Sequence, residues 1–375
     1  MAGYDRPAMT DDQIRYSITH LMGSPPIREI AKGKQEVVII FDDIARVTRV
    51  ARIVPFVLEE LAKAGIPDRK IRFIAATGTH GAMTREDFAK KLGEPVLSRF
   101  RFYNHNPFDN CTYVGTTSRG TKVSINSEFM QYDFKIAIGS ITPHLAAVFS
   151  GGGKIILPGI SSLETISYNH NLPCDAAAKA KYETNPIALD MSEAADFAHL
   201  DVNIEGLVNL WGDTVALFAG ELKRSHDIGI QAAQSHYLTK RVKDKDIVIA
   251  NAYAKVSEAA AGLDTAYPSV KPEGGDVVLI CNAPQGQVVH YLGGPWGDNF
   301  IGKRSIRFPV PPYINRLIVY TEYPDLTGLE WIQKSEKVMM VNKWDDVLQV
   351  LQKADGDHAE VAVYPNADIQ QYFGE

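Results

Sequence analysis

Apolar runs that break off into polar strings set the pattern of this chain. Residues 37–41 form a short β-branched run that ends in Asp42-Asp43-Ile44-Ala45-Arg46. Apolar positions then recur at three- and four-residue spacing (Val50, Ile53, Val54, Val57, Leu58, Leu61), which predicts a helix closing at Gly65. Pro55 suits that helix only near its first turns. A second apolar run, 71–76, stops at Thr77-Gly78-Thr79-His80, and Thr84 with Asp87 predicts the N-cap of a helix reaching Leu92. Two short β-like runs, 99–103 and 111–116, precede a third clear strand at 134–139, which ends in Ser140-Ile141-Thr142-Pro143-His144. Strand and helix alternating in this rhythm predict a parallel sheet with crossover helices. Ligands of such sheets bind beyond the C-terminal strand ends, where each of these polar strings lies.

Beyond that point Ser150-Gly151-Gly152-Gly153-Lys154 leads to Pro158-Gly159, and Ser161 or Ser162 can cap a helix carrying Glu164 to His170. The middle of the chain has a weaker pattern, with a strand at 215–219 and a long helix at 221–240. A second strand–helix series follows: strands at 246–250, 276–281, 316–320, 337–341 and 359–364, and a helix at 344–352. The Pro/Gly-rich stretch 293–312 reads as a long surface excursion. The whole predicts two α/β domains with mainly parallel sheets and the active site in the crevice between them. Residues 1–245 carry the motifs, and 246–375 close over the substrate.

Composition narrows the function. The chain has 375 residues, enough for two domains, and 45% hydrophobic with 22% charged residues is ordinary globular composition. A net charge of −6 argues against nucleic acid as main partner. No run approaches the length of a membrane span, and Asp5, Arg6 and Pro7 stand where a secretory signal would be apolar, so the expected location is the cytoplasm. Three scattered cysteines form no CxxC pair, which speaks against a disulfide scaffold or structural zinc.

The candidate chemistry lies in the polar strings. The glycine string fails the Walker pattern, because Val148 stands where the first Gly belongs and Ile155 follows the lysine. Gly151, Gly152 and Gly153 can serve as an anion cradle beside Lys154 or as a tight turn; both readings stay open. His80, His144 and His170 follow strand ends or sit on the next helix and would converge on one crevice, as bases or metal ligands. His105 follows a likely strand and is a further candidate to touch the site. Asp43 and Arg46 end the first strand, where an arginine can clamp a carboxylate or phosphate, or merely pair on the surface.

Together, Asp43-x-x-Arg46, Ala76-Thr77-Gly78-Thr79-His80 and Pro143-His144-x5-Ser150-Gly151-Gly152-Gly153-Lys154, continuing through Pro158-Gly159 to Asn169-His170, resemble the lactate racemase family. The likeness is strongest over the N-terminal two-thirds. It implies an isomerase, a racemase or epimerase of 2-hydroxy acids, that uses a nickel pincer nucleotide. By position, Lys154 is then the attachment point and His170 the nickel ligand. His80 and His144 are the acid/base pair, and Asp43, Arg46 and the glycines hold nucleotide and substrate. Removal of C2–H as hydride gives a planar keto acid, and its return to the other face inverts the centre. Enzymes that build the cofactor are implied partners, and protein from an ordinary host would lack it.

In the second domain the chain departs from lactate-active members. Counted from Tyr253, their Tyr-Gln pair and lysine correspond to Ala260, Ala261 and Asp264. An aspartate in place of a cation repels a carboxylate and suits hydroxyls, so Tyr253 and Asp264 point to a larger, more hydroxylated acid such as a sugar acid. Two rivals use the same residues: a zinc-dependent hydrolase on the three histidines, and a non-catalytic nucleotide or anion binder. Since the proposed substrate is an anion, steering must come from a local cluster, for which Arg46 and Lys154 are the best candidates.

Overall fold

The computed structural model describes residues 1–179, 181–301 and 306–372. The chain divides into two compact units. One runs from Asp5 to Ser235, and the other joins Met1–Tyr4 to the chain from His236 onward. That junction is a backbone pairing: the Ala2 and Gly3 amides donate to the carbonyls of Leu238 and His236 at 2.8 and 2.9 Å.

In the first unit β1 (Val37–Asp42) and β2 (Ile71–Ala76) are continuous apolar runs because helices cover both faces of the sheet. They are followed by β3 (Arg101–Asn104), the hairpin of β4 (Cys111–Thr116) and β5 (Lys122–Asn126), and β6 (Phe134–Ser140). The two-residue strands β7 (Pro143–His144) and β8 (Val148–Phe149) form a second small hairpin, and β9 (Val202–Val208) and β10 (Thr214–Gly220) complete the set. The main sheet runs β10-β9-β6-β1-β2-β3, parallel except for β10. The chain moves outward from β1 through β2 to β3 and then returns to the other side of β1 as β6. A topological switch point therefore lies between β1 and β6.

Helix Val50–Lys63 buries Ile53, Val54, Val57 and Leu61 against this sheet as its periodicity predicts. Pro55 sits in its second turn and costs it a backbone hydrogen bond. Thr84 forms a capping box with Asp87 ahead of helix Arg85–Leu92, and Ser162 caps helix Leu163–His170. Helix Pro186–Asp196 and strand β9 were not foreseen, because Asn203 and Glu205 interrupt the apolar signal of a strand whose every residue is buried.

The second unit is a five-stranded parallel sheet. It contains β11 (Ile247–Asn251), β12 (Gly275–Ile280), β13 (Ile314–Tyr320), β14 (Val338–Val341) and β15 (Val361–Tyr364), in the order β14-β13-β12-β11-β15. Helix Trp344–Asp355 packs Val347 and Leu351 on Ile247, Val278 and Ile318. The stretch expected to be a loop excursion contains helix Gly294–Ile301, while 302–305 lie outside the described residues. No helix among the described residues is long and apolar enough to cross a membrane.

Candidate active site

The switch point of the first sheet gathers the polar strings. The chain leaves β1 at Asp42 and Asp43, both buried. Asp42 pairs with buried Lys91 at 2.8 Å and accepts a short hydrogen bond from Thr48; burial raises its pKa against the pull of the lysine charge. Lys91 also donates to the Arg46 carbonyl at 2.8 Å, so one lysine fixes the whole turn that presents Asp43 and Arg46.

Asp43 accepts the Ala45 amide on Oδ1 and bonds His80 Nδ1 on Oδ2 at 2.5 Å, with both side chains nearly sealed from solvent. A carboxylate only accepts, so Nδ1 carries the hydrogen and Nε2 is the acceptor nitrogen of His80. His144 has the opposite arrangement. Its Nδ1 accepts the Ala146 and Ala147 amides at 3.2 and 3.3 Å, which leaves the neutral ring's hydrogen on Nε2. One imidazole thus presents an acceptor at Nε2 and the other a donor.

The glycine–lysine loop is bound into the same corner. Ser150 donates its hydroxyl to Ser140 O at 2.9 Å and accepts the Thr142 amide at 2.9 Å, which ties the loop to the end of β6. The Gly78 amide donates to Gly159 O at 2.9 Å, which ties the end of β2 to the far side of the loop. Between His144 and the glycines, Val148 holds φ at +64°, a region that β-branched residues avoid.

The three glycines face inward. A Cβ on Gly151 would lie 2.4 Å from Glu205 Oε2, one on Gly152 2.5 Å from the His226 ring, and one on Gly153 2.5 Å from Met191 O. The Gly152 amide donates to Glu205 Oε2 at 2.8 Å, so this donor is satisfied internally by a carboxylate.

His170 ends helix Leu163–His170. Its Nδ1 is buried, approached by the Ile166 carbonyl one turn back but without a well-formed hydrogen bond. Burial, followed by the charge of Lys154, drives its pKa down to about 3, so the ring is neutral and lies within the field of that lysine. His105 plays a different part. It is buried, its Nδ1 accepts from Asn126 at 3.2 Å, its Nε2 donates to Ser161 O at 2.9 Å, and Thr77 donates to its carbonyl at 3.2 Å. It braces the β2 end and the segment after Gly159 from within, and burial lowers its pKa to about 4.

Tyr253 follows β11 and is exposed, as is Asp264 at the start of helix Leu263–Ala266. In the same unit a small pocket of about 20 Å³ lies over the C-terminal ends of β12 and β13, with Ala259, Ala260, Cys281, Gln287, Thr321 and Tyr323 in its wall. Among the described residues no three His, Cys, Asp or Glu side chains lie close enough to hold a metal ion, so the trio required by a zinc hydrolase is not assembled. Glu205 and His226 were not foreseen as part of this corner. The available signal was a charge inside an apolar run, at 202–208.

Known proteins resemble this chain along its length. A family model described as the lactate racemase N-terminal domain matches residues 3–181. The lactate racemase of Lactiplantibacillus plantarum is 30% identical over 295 residues, 76% of this chain and 69% of that protein. That of Thermoanaerobacterium thermosaccharolyticum is 29% identical over 293 residues, 74% of this chain and 66% of that protein. The alignments thus span about two thirds of these relatives. In fold, the chain matches the lactate racemase apoprotein of T. thermosaccharolyticum with a TM-score of 0.74 at 22% identity, covering 98% of this chain and 94% of that one. A Thermotoga maritima protein matches with a TM-score of 0.71 at 17% identity, covering 98% and 99%. Sequence and fold together place the chain in a class of isomerases built on two α/β domains. It belongs to the lactate racemase family.

Proposed function

We propose that this protein inverts C2 of a 2-hydroxy acid, as a racemase or epimerase, with a nickel pincer nucleotide joined to Lys154. The observation that carries this reading is the convergence of the Asp43–His80 pair, the His144 hairpin and the Lys154 loop on one switch point. His170 suits the role of nickel ligand. Its Nδ1 is buried without a hydrogen-bond partner and its ring is neutral, the form a metal binds. When bound, the nucleotide supplies the acceptor and donor of the C2 hydride.

The remaining work falls to this chain. Arg46 binds the substrate carboxylate beside the β1 turn. His80 takes the hydroxyl proton at Nε2, with Asp43 stabilising the imidazolium that forms, and gives it back as the hydride returns; His144, on the other face of the substrate, hydrogen-bonds the same oxygen through Nε2 and serves the opposite enantiomer. Tyr253 and Asp264 bind the substrate's distal hydroxyls, which favours a sugar acid over lactate. The protein works in the cytoplasm alongside the enzymes that build the nucleotide.

Intact-mass analysis and metal analysis of protein co-expressed with those enzymes test the reading. A covalent adduct on Lys154 with bound nickel is expected, together with racemisation of aldonic acids. Zinc without an adduct, or neither, overturns the reading, and lactate as the best substrate overturns the sugar-acid part.

A further inference from the structure

Behind the glycine loop lies a buried polar cluster that the proposed reaction does not use. Glu205 sits on β9 opposite Gly139 of β6 and has no exposed surface. One carboxylate oxygen, Oε2, accepts the Gly152 amide at 2.8 Å; the other, Oε1, accepts from His226 Nδ1 at 2.7 Å. His226, on helix Leu222–His236, is 5% exposed. The Tyr182 ring meets its imidazole edge-on with centroids 5.5 Å apart.

Burying a carboxylate is costly unless its oxygens are satisfied, so this group is retained for what it holds. It holds the middle amide of a turn whose next residue but one is Lys154. The fit is close on three sides, since a Cβ on Gly151 would strike the carboxylate, one on Gly152 the imidazole, and one on Gly153 the Met191 carbonyl. The carboxylate also stands where a phosphate would have to lie to use the Gly152 amide, and like charge excludes it. The glycines are therefore small so that the turn can seat on Glu205 and His226.

We infer that Glu205 and His226 are a positioning pair, which fixes the turn from Gly151 to Lys154 so that the lysine is presented in one orientation. This rests on the reading of Lys154 as the attachment point, but its test does not need the cofactor. The apoprotein is treated under native conditions with an amine-acylating reagent. Labelling of Lys154 is measured by peptide mass spectrometry against that of exposed Lys63. Glu205→Ala is expected to change this ratio about tenfold, the effect of losing a hydrogen bond to a charged acceptor. Glu205→Gln keeps an amide oxygen for the Gly152 N–H and is expected to stay near the wild-type ratio. A contribution to stability alone would leave the ratio unmoved in folded protein. An unchanged ratio in Glu205→Ala with a native circular dichroism spectrum overturns the inference, as does a change in Glu205→Gln equal to that in Glu205→Ala. Should Glu205→Ala not fold, Gly152→Ala, which pushes the turn off His226, gives the same two outcomes. An altered ratio in Glu205→Ala together with no Lys154 adduct in the co-expressed wild type overturns the proposed function and leaves this pair standing.

Discussion

Asp43 does for His80 what two backbone amides do for His144, with opposite sign. An acceptor at Nδ1 fixes the hydrogen there and leaves Nε2 to take a proton, whereas donors at Nδ1 leave the neutral ring's hydrogen on Nε2, to be donated in a hydrogen bond. Asp43→Asn removes the charge that stabilises the His80 imidazolium with almost no change in shape. In cofactor-loaded enzyme kcat is expected to fall about 100-fold or more, with KM changed far less; steady-state racemisation kinetics measure it. His105 is predicted to matter through stability. Its pKa of about 4 in the folded protein lies below the 6.5 of an unperturbed histidine, so the unfolded chain takes up the proton first. Its contribution is complete above about pH 6.5 and is lost as pH falls toward 4. Urea titrations at pH 7.5 and 5 are expected to show wild type losing more stability on acidification than His105→Gln.

Among the elements, the segment from Ser150 to Gly159 is the most constrained. A Cβ on Gly159 would lie 2.0 Å from the Ile155 carbonyl, a backbone atom that cannot swing aside. Gly159→Ala is expected to destabilise the first unit by about 1–3 kcal/mol, as overpacking does, and to break the Gly78–Gly159 tie; chemical denaturation followed through Trp211 reports it. The strands that carry the site were legible in the sequence because parallel strands buried on both faces are written as unbroken apolar runs, as at β1, β2 and β6. Thr84 and Ser162 were legible because capping is local. Strand β9 was not, because the reason for a glutamate in its middle lies 21 residues further on, at His226, and 53 residues back, at Gly152. His105 looked like a candidate for the same cause: a strand-end histidine reads alike whether it faces a ligand or the carbonyl of Ser161, and only its partners distinguish the two.

At the scale of the whole molecule, buried titratable groups of both kinds set the response to acid. Burial raises the Asp368 carboxyl of the second unit to about 6 despite nearby Lys255, and burial raises that of Asp276 to about 6 despite Arg316. The folded state holds these protons where the unfolded chain would release them. Their stabilisation is full below about pH 4 and is lost as pH rises through 6. Asp368→Asn is therefore expected to gain on wild type between pH 4.5 and 7 when the second unit is followed through Trp296, Trp331 and Trp344. In the first unit His105 and His170, whose pKa values are lowered, cost stability over the acidic part of that span, while the raised carboxyl of buried Asp42 acts the other way. The division of the chain has a practical side too. Because Met1–Tyr4 pair with the segment at His236 and Leu238, the polypeptide passes between the units twice, once after Tyr4 and once after Ser235. An affinity tag fused ahead of Met1 is thus anchored to the C-terminal unit, and a protease cut at either crossing leaves the two halves still joined by the other.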